Sequence, residues 1–107
     1  MRKGTYKRLE TIKKRDVMKE FEGTFEVHGF LMINKEPADK FYSVTHIKSG
    51  GAYIHGLTLK QARKLVKQTM DFTCWKAKDW KELQSKCHSR RWKGKLTRAI
   101  ETALENT

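Results

Sequence analysis

Hydrophobic and polar positions alternate in the middle of this chain and recur at helical spacing after it. Thr24-Phe25-Glu26-Val27-His28 alternates, Gly29 interrupts, and Phe30-Leu31-Met32-Ile33 continues. That pattern predicts one strand bulged at Gly29 or two short strands. Asn34 to Lys40, with the single proline Pro37, reads as a turn. Phe41 to Ile47 is the clearest strand, and Lys48-Ser49-Gly50-Gly51 supplies the positive φ angles for a hairpin into Ala52-Tyr53-Ile54-His55. With Ser49-Gly50 as a two-residue loop, Ile47 faces Ala52 and His46 faces Tyr53. Phe41, Thr45, Ile47, Ala52 and Ile54 then form the core face. Tyr42, Val44, His46, Tyr53 and His55 form the other, either covered by a helix or offering an aromatic platform to single-stranded bases.

Thr58 with Gln61 three residues later is a capping-box pattern, and Leu57 can staple onto Ala62. Leu59, Ala62, Leu65, Val66 and Met70 share one side of the helix that follows, and Lys60, Arg63, Lys64 and Lys67 the other. Asp79 caps a short helix with Trp80, Leu83 and Cys87 inside. A last helix, from about Trp92 or Lys95 to Glu105, buries Leu96, Ala99, Ile100, Ala103 and Leu104. Residues 5–20 read as a weaker helix through Tyr6, Leu9 and Ile12, or as a flexible basic arm over residues 1–15. The expected fold is one α+β domain over residues 1–107. Its small three-stranded antiparallel sheet, about residues 24–55, packs with flanking and C-terminal helices.

Charge sharpens this picture. The 107 residues carry 24 Lys and Arg against 12 Asp and Glu, a formal balance of +12. Residues 1–20 hold +5, residues 21–56 hold −1 and residues 57–107 hold +8. The expected sheet is therefore neutral and the expected helices basic. The longest apolar run, residues 30–33, is far short of the ~18 residues a membrane span needs, so a soluble, cytoplasmic protein is expected. Two cysteines are too few for a disulfide scaffold.

Lys86, Arg90, Arg91, Lys93, Lys95 and Arg98 surround Trp92 without an acid among them, and Ser89 and Thr97 add hydroxyl donors. Clusters of this kind bind phosphate backbones, because each neutralised phosphate releases a counterion, and a neighbouring aromatic can stack on a base. The all-cationic helix face at residues 60–67 forgoes the i,i+4 ion pairs a solvated face usually gains. Arg90 to Lys95 also crowd a helix start, where the dipole disfavours positive charge by ~0.3–1 kcal/mol each.

The order of elements is similar to that of the double-stranded-RNA-binding domain and of three-stranded DNA readers of the integrase-arm type. The Lys-Lys-x-Ala-Lys signature of the first is absent, and the −1 balance of the strand segment does not suit the second, so no family is assigned. Cys74, Cys87 and His88 lack a Cys-x-x-Cys pair, and nothing ties Glu26, His28, His46 and His55 together. No nucleotide fingerprint, nucleophile elbow or zinc-protease motif occurs, so no metal, no cofactor and no enzyme activity are expected.

The expectation is a non-catalytic nucleic-acid-binding protein, for DNA rather than RNA, of the kind found among phage and mobile-element accessory proteins. Its contacts would come from Lys60, Arg63, Lys64, Lys67, Lys86, Arg90, Arg91, Trp92, Lys93, Lys95 and Arg98, joined by Lys13, Lys14 and Arg15. The alternative is an interaction module or inhibitor that clamps an acidic surface of a partner such as a host enzyme. A homodimer through Leu96, Ile100 and Leu104 of the last helix is a further expectation.

Overall fold

The computed structural model describes residues 1–105. Five strands, β1 (Arg2–Ile12), β2 (Arg15–His28), β3 (Leu31–Lys35), β4 (Tyr42–His46) and β5 (Ala52–Leu57), form one antiparallel sheet in sequential order. Three helices follow, α1 (Leu59–Thr69), α2 (Trp80–Cys87) and α3 (Arg90–Glu105), with a 3-10 turn at Thr73–Lys76 between the first two. The architecture is α+β, with five strands where three were expected. No helix among the described residues is long and apolar enough to cross a membrane.

The additional strands come from the N-terminal segment. The Tyr6, Leu9, Ile12 spacing suggests a helix, yet residues 2–12 pair with residues 15–25 in an unbroken ladder from Arg2↔Phe25 to Ile12↔Arg15. Tyr6 lies on Phe21 and Phe25 of the neighbouring strand, with ring centroids 6.1 and 5.9 Å away. Such cross-strand pairs outweigh a weak helical period once both strands are present. Residues 1–15 are thus neither a helix nor a loose arm. The sheet is not neutral either, because β1 and β2 carry the basic N-terminal residues.

Gly29 (φ +60°) turns the chain from β2 into β3, with His28 opposite Leu31, so the two-strand alternative is the observed one. The β4–β5 register differs from the simple hairpin. Thr45 faces Ala52, Val44 faces Ile54 and Tyr42 faces Leu57, so β5 carries extra residues at bulges. β4 is buried on both faces, because Thr45 of the expected core face is as enclosed as its neighbours and donates from Oγ1 to Asn34 Oδ1 at 2.7 Å. Val44 and His46 are fully buried, whereas Phe41 and Ile47 are 46 % and 38 % exposed. Bulging at Tyr53 lets both Tyr53 and Ile54 pack on the core. The aromatic platform accordingly does not exist, since Tyr42, His46 and Tyr53 lie beneath the helices.

Leu31, Ile33, Val44 and Leu57 of the sheet meet Leu65 and Val66 of α1 and Leu96, Ala99 and Ala103 of α3 around Trp75, which is completely enclosed. The Trp75 indole donates to the Thr69 carbonyl at 2.6 Å, and His46 Nε2 lies 2.6 Å from the Trp75 carbonyl. On the opposite face the sheet rolls up. The Leu9 amide of β1 donates to the Gly50 carbonyl in the β4–β5 turn at 2.8 Å, although three strands, β2, β3 and β4, separate β1 from β5 in the ladder order. Arg8 of β1 pairs with Glu36 after β3 at 2.9 Å, closing the roll from a second side. Gly51 is required here for space, because the indole of Trp80 occupies the place a Cβ would take.

Candidate nucleic-acid interface

The capping box expected of α1 is complete. The Gln61 amide donates to Thr58 Oγ1 at 3.2 Å and the Thr58 amide to Gln61 Oε1 at 2.9 Å, which fixes the start of the helix. With Ala62, Leu65 and Val66 buried, Lys60, Lys64 and Lys67 line up on the outward side. Arg63 has a different task. Its Nε and Nη2 donate to the two carboxylate oxygens of Glu26 on β2 at 2.9 and 3.0 Å. Those bonds from Arg63, joined by His28 at 3.0 Å, hold the Glu26 carboxyl down at about 2.

α3 begins at Arg90, earlier than its apolar spacing implies. Leu96, Ala99 and Ala103 face the core, and so does Trp92, which is 9 % exposed. The Trp92 ring packs on Phe72 with centroids 5.2 Å apart, so it offers no free face on which a base could stack. It organises cations instead. The Arg91 guanidinium sits 5.4 Å and the Lys95 ammonium 5.1 Å from its centroid. Because Leu96 faces inward, Leu96, Ile100 and Leu104 do not make one outward stripe for a twofold contact.

Helical periodicity divides the cations of α3 between two sides. Arg91, Lys95, Arg98 and Thr102 follow one stripe. Lys95, Arg98 and Thr102 meet Gln68 of α1 and Phe72 in a shallow groove of about 290 Å³ whose lining contains no carboxylate. Lys93 and Thr97 turn the other way, toward a groove of about 370 Å³ shared with Tyr53, Trp80 and Cys87. The 86–98 cluster is therefore not one patch. Lys86 is further set apart by its pairing with Glu82 at 3.5 Å on α2. Among the described residues, Lys60, Lys64, Lys67, Arg90, Arg91, Lys93, Lys95 and Arg98 form no ion pair with a carboxylate. Lys13, Lys14 and Arg15 occupy the β1–β2 turn and do not line the α1–α3 groove. Gln68, Phe72 and Thr102 went unnoticed in the sequence; only their spacing of one turn from Lys64 and Arg98 could have marked Gln68 and Thr102.

Of the acid and base candidates, Glu26 and His28 meet in the Arg63 ion pair, and His46 and His55 lie apart from them and from each other. His46 is enclosed, with Nδ1 2.8 Å from Ser49 Oγ, and burial pushes its pKa below the usual histidine value. His55 lies 3.0 Å from Ser43 Oγ on the opposite face. Burial also pushes the Cys74 thiol up to about 11 and raises that of Cys87. Among the described residues, no three His, Cys, Asp or Glu side chains are grouped so as to hold a metal. No family model matches this chain, and neither does any curated protein or solved structure.

Proposed function

We propose that the protein binds nucleic acid, DNA in preference to RNA, and does so without catalysing a reaction on it. The observation that carries this reading is a pair of cationic stripes that make no ion pair with a carboxylate among the described residues, Lys60, Lys64 and Lys67 on the outward side of α1 and Arg91, Lys95 and Arg98 on α3, of which Lys95 and Arg98 line the α1–α3 groove. Proteins usually relieve such self-repulsion with interspersed acids, and here the relief would come from phosphates. The rest of the fold supports the same division of labour. Arg63 anchors α1 to the sheet, and Trp92 holds the root of α3 while presenting Arg91 and Lys95.

Six phosphate contacts on duplex DNA imply a log–log salt dependence with a slope near ~−5. Titration of a mixed-sequence duplex between about 50 and 300 mM salt tests this. A slope near zero, or no binding at low salt, would remove the reading. If Arg91→Gln with Arg98→Gln leaves DNA and RNA affinity unchanged but abolishes association with an acidic protein, the surface serves protein recognition instead.

A further inference from the structure

The turn joining β1 to β2 has the wrong residues for its geometry. Ile12 faces Arg15, so Lys13 and Lys14 alone form a two-residue loop, with φ values of +50° and +65°. Both positions lie in the left-handed region, where such loops favour Asn-Gly because side chains with a full stem are strained there. Lysine at both adds that strain to the repulsion of three consecutive cations, Lys13, Lys14 and Arg15. Among the described residues none of the three cations has an ion-pair partner. Of the nearby acids, Glu10 is paired with Lys19 at 3.0 Å, and Asp16, which accepts from the Thr11 hydroxyl at 2.8 Å, forms no ion pair with the three cations. Backbone strain held at an exposed charged tip is characteristic of contact sites.

The surroundings point the same way. Every residue from 11 to 20 is exposed, and β3 pairs with β2 only from Thr24 onward, so residues 7–20 are a two-stranded ribbon. Its root is fixed by the Leu9–Gly50 hydrogen bond and the Arg8–Glu36 ion pair. Beyond Leu9 the strand runs on to the turn at ~3.4 Å per residue, a reach of about 13 Å. One face of this projection carries Ile12 and Val17, each 44 % exposed, with Arg15 opposite Ile12 and Glu10, paired with Lys19, opposite Val17. The major groove of B-DNA is about 12 Å wide and ~8.5 Å deep, admits a two-stranded ribbon, and displays guanine acceptors for Arg or Lys and thymine methyl groups for apolar side chains. The A-form major groove is too narrow to be entered in this way.

We infer that the β1–β2 ribbon enters the major groove of duplex DNA, with Lys13, Lys14 and Arg15 at its tip and Ile12 and Val17 against base edges. This rests on the nucleic-acid reading above and adds to it a substrate class, B-form duplex, and a reading element separate from the helix stripes.

The test is Lys13→Asn with Lys14→Gly, which gives the loop the residues its φ angles favour. Expected are a Tm equal to or above that of the parent, a 20-base-pair duplex DNA bound about tenfold more weakly, and a salt slope smaller in magnitude by about two. Arg15→Gln, which leaves the loop untouched, should weaken duplex binding in the same direction. In dimethyl sulfate footprinting the parent should protect guanine N7 in the major groove and leave adenine N3 in the minor groove reactive. Unchanged duplex affinity in both variants, or protection absent from guanine N7, overturns the ribbon inference while leaving the helix stripes to account for a steep salt slope. Absence of any nucleic-acid binding by the parent removes the underlying reading instead.

Discussion

Arg63 on α1 and Glu26 on β2 form a two-point ion pair, and it joins the helix that carries the outward cations to the sheet beneath them. The carboxylate is the more enclosed partner, its side chain 15 % exposed against 51 % for Arg63. One arginine of an apparently uniform basic face is thereby withdrawn from that face and given to the fold.

A pH dependence of stability follows. The hydrogen bonds from Arg63 hold the Glu26 carboxyl at about 2, below the ordinary 4.5, so the unfolded chain takes up a proton first on acidification. The stabilisation is present above pH 4.5 and is lost as the pH falls through about 2. Urea unfolding at a series of pH values should show this fall in the parent and a flatter profile in Glu26→Gln. Freed from its carboxylate, Arg63 should also join the other cations, steepening the salt slope of DNA binding by about one.

Removing charge from the groove should separate binding from stability. Lys95→Gln with Arg98→Gln alters exposed side chains, so the unfolding free energy should change by less than about 1 kcal/mol. The salt slope for duplex DNA should drop in magnitude by about two. Unchanged salt dependence in a folded double variant would place the contacts elsewhere.

Trp92 should behave as a packing residue. Trp92→Ala leaves Phe72 without its partner and opens a large cavity, which typically costs about 3–5 kcal/mol and should be visible in the urea midpoint. Trp92→Phe keeps an aromatic in the site and should bind DNA much as the parent does. A selective loss of binding by the phenylalanine variant, with stability retained, would mean that the indole touches the ligand.

His46 should make the fold sensitive to mild acid. Its Nε2–H donates to the Trp75 carbonyl at 2.6 Å while Nδ1 accepts from Ser49, an arrangement that suits the neutral ring. Burial lowers its pKa from 6.5, so below about that pH the unfolded chain binds a proton that the native ring resists. Stability should be full above pH 6.5 and decline below it. The measurement is the difference in unfolding free energy between pH 7.5 and pH 5.5. A His46→Gln variant, though less stable overall, should show a smaller difference across that window.

The elements legible in the sequence are those whose determinants lie within a few residues of one another. α1 starts at its Thr58–Gln61 capping box, and α2 starts at Asp79, whose carboxylate accepts from the Glu82 amide at 2.8 Å. Gly29 and Gly50, both at positive φ, mark the turns where they were expected. The outward side of α1 was equally visible, because helical spacing assigns each lysine to a side, whereas the division of the 86–98 cations between two sides of α3 was not seen until the helix was known to start at Arg90. What escaped was β1 and the part of β2 before Thr24, whose strand character depends on each other: Tyr6 gains Phe21 and Phe25 only after the chain has turned at Lys13-Lys14.

By itself, then, the sequence determined the α+β class, the starts of α1 and α2 and the excess of positive charge in the helical half of the chain, consequences of local hydrogen bonding and of composition. Only the tertiary structure decided that β4 is buried on both faces, because Val44 and His46 lie under the helices and Trp75 while Thr45 is enclosed where it bonds Asn34 of β3. It also decided that Trp92 packs while Lys95 is displayed, that Arg63 holds Glu26, and that the basic N-terminal residues form a strained ribbon. Each of these depends on a partner distant in sequence, whose position becomes defined only when the sheet has rolled and the helices have closed over it.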